Sequence, residues 1–253
     1  MVLARKLSHY ANDYLKVAEF KDYCPNGLQV QGKSEIKKIV GGVSLNDELI
    51  DKAIKSNADA ILVHHGLLWH KETLEIVGIK KERLRKLIMH EINLYAYHLP
   101  LDVHPLFGNN AFFVQALKLN NIMKKSLFGT RDLLWFGELS HPVNPTKLAI
   151  NLEEVFCQKS IYAPAKDTSD IKKIAWCTGA AQDGIECAAN ESIDAFVTGE
   201  ISERTYHLAR ELNVHFFAVG HHASERFGVD SFGKHLADHF GLEYEFINVY
   251  NPI

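Results

Sequence analysis

The sequence predicts an α/β protein built on a duplicated strand, helix, strand unit. Two observations carry this. Short apolar runs end abruptly in histidines or carboxylates with amphipathic stretches between them, and one part of the chain returns later in the same order. Without a gap, Ser34–His65 aligns with Ser169–Glu200 at 9 identical positions of 32, where chance pairing at ordinary composition gives about two. Self-similarity of this kind marks a structural repeat, and it puts Glu200 at the strand end that His65 occupies in the first copy. The repeats are expected over 1–126 and 127–253.

The elements follow in order. Apolar residues at Leu3, Leu7, Tyr10, Ala11, Tyr14, Leu15 and Ala18 recur at the helical period. Pro25 and Asn26-Gly27 signal a turn before an extended segment. Ile36 to Val43 reads as a strand, and Ser44 with Asp47 three residues on predicts the cap of a helix that buries Leu49, Ile50 and Ala53. Ala60 to Val63 is an apolar run closed by His64, His65 and Gly66, and it reads as a buried strand. Adjacent strand residues face opposite ways, so His64 and His65 are expected to serve different ions. Lys81 to His90 reads as helix and Ile92 to His98 as strand; Leu133 to Glu138 and Thr146 to Phe156 add a strand and a helix. In the second copy Ser202 starts a helix and Val214 to Val219 is a strand, followed by a helix over Phe232 to Phe240 and a strand over Leu242 to Val249.

Composition narrows the function. Hydrophobic content of 47% and charged content of 23% are those of an ordinary globular protein. A net charge of −3 without a basic run argues against general nucleic-acid binding. No apolar run approaches the roughly 20 residues of a membrane span, and the first residues are charged and helical in period rather than signal-like, so a cytoplasmic protein is expected. Cys24, Cys157, Cys177 and Cys187 form no pair and read as buried thiols.

Functional groups of open α/β sheets gather beyond the carboxyl ends of strands. Four such ends carry His64 and His65; His98 and Asp102; Glu200; and His221, His222 and Glu225. Imidazoles and carboxylates without thiolates suit zinc, iron, manganese, cobalt or nickel. His221 and Glu225, four apart, share a face if a helix has begun there.

These residues stand in motifs that together resemble one family: Asn26-Gly-Leu-Gln-Val30, His64-His-Gly66, His98-Leu-Pro-Leu-Asp102 with Gly108-Asn-Asn110, Cys177-Thr-Gly179, Thr198-Gly-Glu200 and Gly220-His-His-Ala-Ser-Glu225. The set is similar to the Nif-three-like family, also called GTP cyclohydrolase 1 type 2 homologs, in its short bacterial form. The resemblance implies two intertwined, duplicated α/β repeats with mixed sheets and a dinuclear metal site between them, assembled as a toroidal homohexamer. It assigns two divalent metal ions to His64, His65, Asp102, His221 and Glu225, with Glu225 as the bridge. His98 and Glu200 are candidates for catalytic acid or base, or for orienting a ligand. The expected function is hydrolysis of GTP or a related, damaged nucleotide. The alternatives are a non-catalytic metal carrier or regulatory scaffold, and an accessory of DNA repair that protects against radiation damage.

Overall fold

A computed structural model describes residues 1–253, and contacts within it divide the chain into two units. The first unit comprises Met1–Phe107 and Arg226–Tyr250; the second comprises Gly108–Glu225 and Asn251–Ile253. The repeat boundary expected after residue 126 is a property of the sequence, whereas these units are defined by contact.

In chain order the first stretch holds β1 (Val2–Leu3), α1 (Ala4–Tyr14), β2 (Gly27–Val30), β3 (Glu35–Ile36), β4 (Lys38–Ser44), α2 (Asp47–Lys55), β5 (Ala60–His65), α3 (Gly78–Met89), β6 (Asn93–Ala96) and α4 (Leu99–Asp102). The second unit holds α5 (Asn109–Ala116), β7 (Asn120–Leu127), β8 (Thr130–Val143), α6 (Pro145–Phe156), β9 (Ile161–Ala163), β10 (Ile171–Trp176), α7 (Ile185–Ala189), β11 (Ala195–Thr198), α8 (Glu203–Glu211), β12 (His215–Ala218) and α9 (His221–Ser224). The chain then returns to the first unit as α10 (Arg226–Phe240) and β13 (Glu243–Phe246).

The first unit's main sheet runs β13-β4-β5-β6-β2, parallel except for the antiparallel edge strand β2. Central strands covered on both faces are apolar throughout rather than alternating, which is why Ala60 to Val63 reads as a continuous run. Ala60 and Leu62 join a core with Leu7 and Ala11 of α1 and Val229, Phe232 and Leu236 of α10. Ile61 and Val63 join the opposite core with Leu49, Ile50 and Ala53 of α2 and Leu87 of α3. Tyr95 and Tyr97 are fully buried, and their hydroxyls donate to the Ala4 carbonyl at 3.0 Å and to Asn12 Oδ1 at 2.8 Å. Burial without such partners would cost a few kcal/mol each.

The second unit's sheet runs β7-β8-β10-β11-β12-β9, with β10, β11 and β12 parallel and β9 antiparallel at the edge. Trp176 at the end of β10 is fully buried, stacks on Phe113 of α5 and donates Nε1–H to the Asn110 carbonyl at 2.9 Å.

One aspartate performs the same task in each sheet. Asp59, just before β5, accepts from the amides of Lys37 at 2.8 Å and Lys38 at 3.2 Å through Oδ2. Asp194, just before β11, accepts from Lys172 and Lys173, both at 2.8 Å, through Oδ2. Burial raises the Asp59 carboxyl, but the ammonium of Lys33 and the two amides outweigh it and hold the pKa below the usual range. Both carboxylates fasten the entry of one strand to the entry of its neighbour.

Two local expectations are corrected. The helix α2 is capped by Asn46, whose Oδ1 accepts from the Leu49 amide at 2.8 Å, and not by Ser44, which is still in β4. Cys24 and Cys177 are buried as expected, but Cys157 and Cys187 are exposed. No helix is long and apolar enough to cross a membrane.

Candidate metal centre

The functional side chains of the first unit stand at the carboxyl ends of β5 and β6. His64 is fully buried and His65 half-buried. Strand alternation sends the two residues to opposite sides, yet their ring centroids are 4.7 Å apart. Both lie at the last positions of β5, where the rings reach past the strand end, and each is steered by a neighbouring strand. His65 Nδ1 is 2.8 Å from Ser44 Oγ at the end of β4, and His64 Nδ1 is 2.8 Å from the Tyr97 carbonyl just after β6. One ring nitrogen from each of His64, His65 and His98 lies within 4.8 Å of the others, a group that could hold a metal ion.

His98 is fixed on three counts. Its amide donates to Asn26 Oδ1 at 2.7 Å, its Nδ1 lies 2.7 Å from Asp22 Oδ1, and the edge of Trp69 closes on its ring with centroids 5.4 Å apart. Nδ1 of each of the three histidines is held by a neighbour, the kind of arrangement that orients imidazole ligands in metal sites. The four-residue α4 carries Asp102, which is 4% exposed and brings Oδ1 to 3.4 Å from His64 Nε2. The motif beginning at Asn26 supports the same residues, since Gln29 Oε1 accepts from the amides of Leu67 at 2.8 Å and Leu68 at 3.2 Å and so holds the turn after His65.

Asp22, Cys24 and His98 also group closely enough for an ion. Burial and then the carboxylates of Asp22 and Asp102 push the Cys24 thiol up to about 12.

In the second unit α9 does begin at His221, and Glu225 follows it. His221 Nε2 is 3.1 Å from Glu225 Oε2, while its Nδ1 is 2.6 Å from Glu200 Oε1. Glu200, one of the two catalytic candidates, is thereby engaged in orienting His221. Burial lowers the His221 pKa, but the carboxylates of Glu225 and Glu200 outweigh it and raise it to about 10. Without a metal ion, His221 is an imidazolium between two carboxylates at neutral pH.

Glu225 is 3% exposed and lies against Gly179. A Cβ on Gly179 would come 2.2 Å from Glu225 Oε1, and the residue has φ +69°, a conformation that L side chains rarely adopt. Gly179→Ala is therefore expected to displace the carboxylate and to destabilise the protein by about 1–2 kcal/mol. Zinc titration and thermal melting would show weakened binding in a chain that still folds.

A similar spacing appears in both units. A four-residue helix stands shortly after a strand, and a carboxylate stands four positions beyond a histidine: His98 just before α4 with Asp102 at its end, and His221 at the start of α9 with Glu225 just after it. Sequence reasoning named these residues but missed Asp22, whose only signal is polarity; it gave Gln29 no role beyond its motif, read Ser44 as a helix cap, and did not anticipate that Gly179 makes room for Glu225.

Fold and donor set define an α/β protein with buried histidine and carboxylate groups able to hold a metal ion. The chain belongs to the DUF34/NIF3 (NGG1p interacting factor 3) family, whose model matches residues 2–252. It is 42% identical over 247 residues to the GTP cyclohydrolase 1 type 2 homolog of Yersinia pestis, covering 98% of each chain. It is 44% identical over 250 residues to the homolog of the same name from Vibrio cholerae, again covering 98% of each. Among solved structures, the protein ybgI, described as of unknown function, superposes with a TM-score of 0.95 at 40% identity over 100% of both chains. TTHA1606 from Thermus thermophilus follows at 0.88 and 30% over the same coverage.

Proposed function

We propose that the protein is a hydrolase dependent on two divalent metal ions, acting on GTP or a related nucleotide. The observation that carries this reading is the gathering of His64, His65 and His98, each with Nδ1 held by a neighbour, into a group whose ring nitrogens lie close enough to hold an ion. The ligands in this reading are His64, His65, Asp102, His221 and Glu225. The name shared by the relatives, GTP cyclohydrolase 1 type 2 homolog, supports the substrate class. The matching runs β4-β5-β6-β2 and β10-β11-β12-β9, three parallel strands and an antiparallel edge strand in each, and the matched roles of Asp59 and Asp194 support duplication of one ancestral unit.

Divalent ions held by these residues would supply Lewis acidity and an acidified water near neutral pH. The protein's own groups do the rest. Ser44 and the Tyr97 carbonyl keep His65 and His64 from rotating, and Glu200 keeps His221 turned toward Glu225. His98 offers a nitrogen for proton movement beside the ligands, and the half-buried Trp69 closes one side of its ring.

Metal-reconstituted protein incubated with GTP is expected to release formate and dihydroneopterin triphosphate, and His65→Ala to reduce turnover to background while leaving the fold intact by circular dichroism. Absence of product from folded, metal-loaded wild-type protein would overturn ring opening of GTP.

A further inference from the structure

The side chain of Asp22 is 2% exposed, yet it is a carboxylate. Burial raises its pKa, but His98, the Asn26 amide group and the Leu99 backbone amide outweigh burial and hold it below the usual range. Its oxygens are fully used. Oδ1 faces His98 Nδ1 at 2.7 Å, and Oδ2 accepts from Asn26 Nδ2 at 2.8 Å and the Leu99 amide at 2.9 Å. Desolvating a carboxylate costs several kcal/mol unless each oxygen is bonded, so the chain has invested in keeping a negative charge behind one imidazole.

An ionised carboxylate only accepts. The hydrogen between Asp22 and His98 must therefore sit on Nδ1. In the neutral ring this leaves a lone pair on Nε2, on the side where His98 groups with His64 and His65. Asn26 adds a second constraint, because it donates to Asp22 through Nδ2 and accepts from the His98 amide through Oδ1. Backbone and ring of His98 are thus tied to one short segment, residues 22–26.

We propose that Asp22 is a positioning residue that locks His98 in the Nδ1–H form, so that its Nε2 lone pair faces the His64 and His65 imidazoles. The lock exists in the metal-free protein; what the lone pair then accepts, an ion or a substrate proton, rests on the metal-dependent reading above. Ser44 and the Tyr97 carbonyl are neutral partners of His65 and His64. The Tyr97 carbonyl, which also only accepts, holds His64 in the same Nδ1–H form; at His98 the acceptor is a carboxylate and the hydrogen bond is charge-assisted.

Long-range proton–nitrogen correlation spectra of the metal-free, full-length chain at mildly alkaline pH test this directly, with His98→Gln identifying the signals. The expected result is a His98 ring protonated on Nδ1 alone. A ring carrying its proton on Nε2 and none on Nδ1 would overturn the proposal. Asp22→Asn, which can donate as well as accept, is expected to move the proton to Nε2 and to weaken zinc binding 10–100-fold, with Asp22→Glu recovering most of both. Weakened binding with an unchanged tautomer would mean a merely structural role and would also overturn it. If Asp22→Asn does not fold, the wild-type spectrum still decides. A wild-type chain that binds no zinc but shows the Nδ1–H ring would refute the metal reading while upholding the lock.

Discussion

Glu225→Ala is expected to weaken divalent-metal binding by at least about 100-fold, on the order of 3 kcal/mol. Glu225 is almost fully buried, has its place made by Gly179, and brings Oε2 to 3.1 Å from His221 Nε2. In the proposed reading its loss removes a ligand, and it also removes one of the two carboxylates beside His221. The imidazolium pKa, about 10 in the intact protein, will then fall because one of the two carboxylates that oppose burial is gone. This predicts a change in pH dependence. In the wild type an ion must displace the His221 proton, so affinity climbs with pH until about 10 and binding releases a proton. In Glu225→Ala the climb ends at lower pH. Zinc calorimetry in buffers of different ionisation enthalpy reads both quantities, and proton release unchanged by the substitution would refute the assignment. The sign for the metal-free fold follows from the same shift. A raised pKa stabilises the folded state below the unfolded value near 6.5, and this contribution is lost as pH rises through about 10.

Phe232→Ala is expected to destabilise the first unit by about 3–5 kcal/mol. Phe232 is fully buried on α10 and lies edge-on to Tyr97 at 5.8 Å and stacked near Tyr14 at 6.2 Å. The helix is contributed by Arg226–Phe240, far along the chain from the sheet it covers. Little in the surrounding core can collapse into the gap, since Val229 and Leu236 are already packed against the same sheet face. Urea unfolding of the metal-free protein, with the exposed Ile150→Ala as reference, measures the difference; equal midpoints would refute the packing argument.

How much was legible depended on the separation of interacting residues. β5 was readable because burial on both faces removes polar residues from its whole length, and the histidines closing it stand out against that run. The carboxylates Asp102 and Glu225 were readable as spacing, four residues from His98 and His221. Asp22 was not, because its partner lies 76 positions away and a lone aspartate before a turn looks like any other. Ser44 was misread for a related reason. Ser44 and Asn46 both precede α2, and only the pairing of β4 with β5 reveals that Ser44 answers to His65, 21 positions on. The approach of the His64 and His65 rings was hidden in a rule that governs Cβ directions but not where long side chains end.

The carboxylates of Asp59 and Asp194 have a wider implication. Each fixes where its parallel strand enters the sheet, at the end opposite to the histidines. Alignment is thus decided upstream, and the downstream rim is left free of that duty. A residue exchanged at the rim alters what can be bound without shifting the ladder beneath it, whereas an exchange at Asp59 or Asp194 loosens the ladder and moves every rim residue at once. A scaffold so divided can trade one chemistry for another at low risk to its own folding.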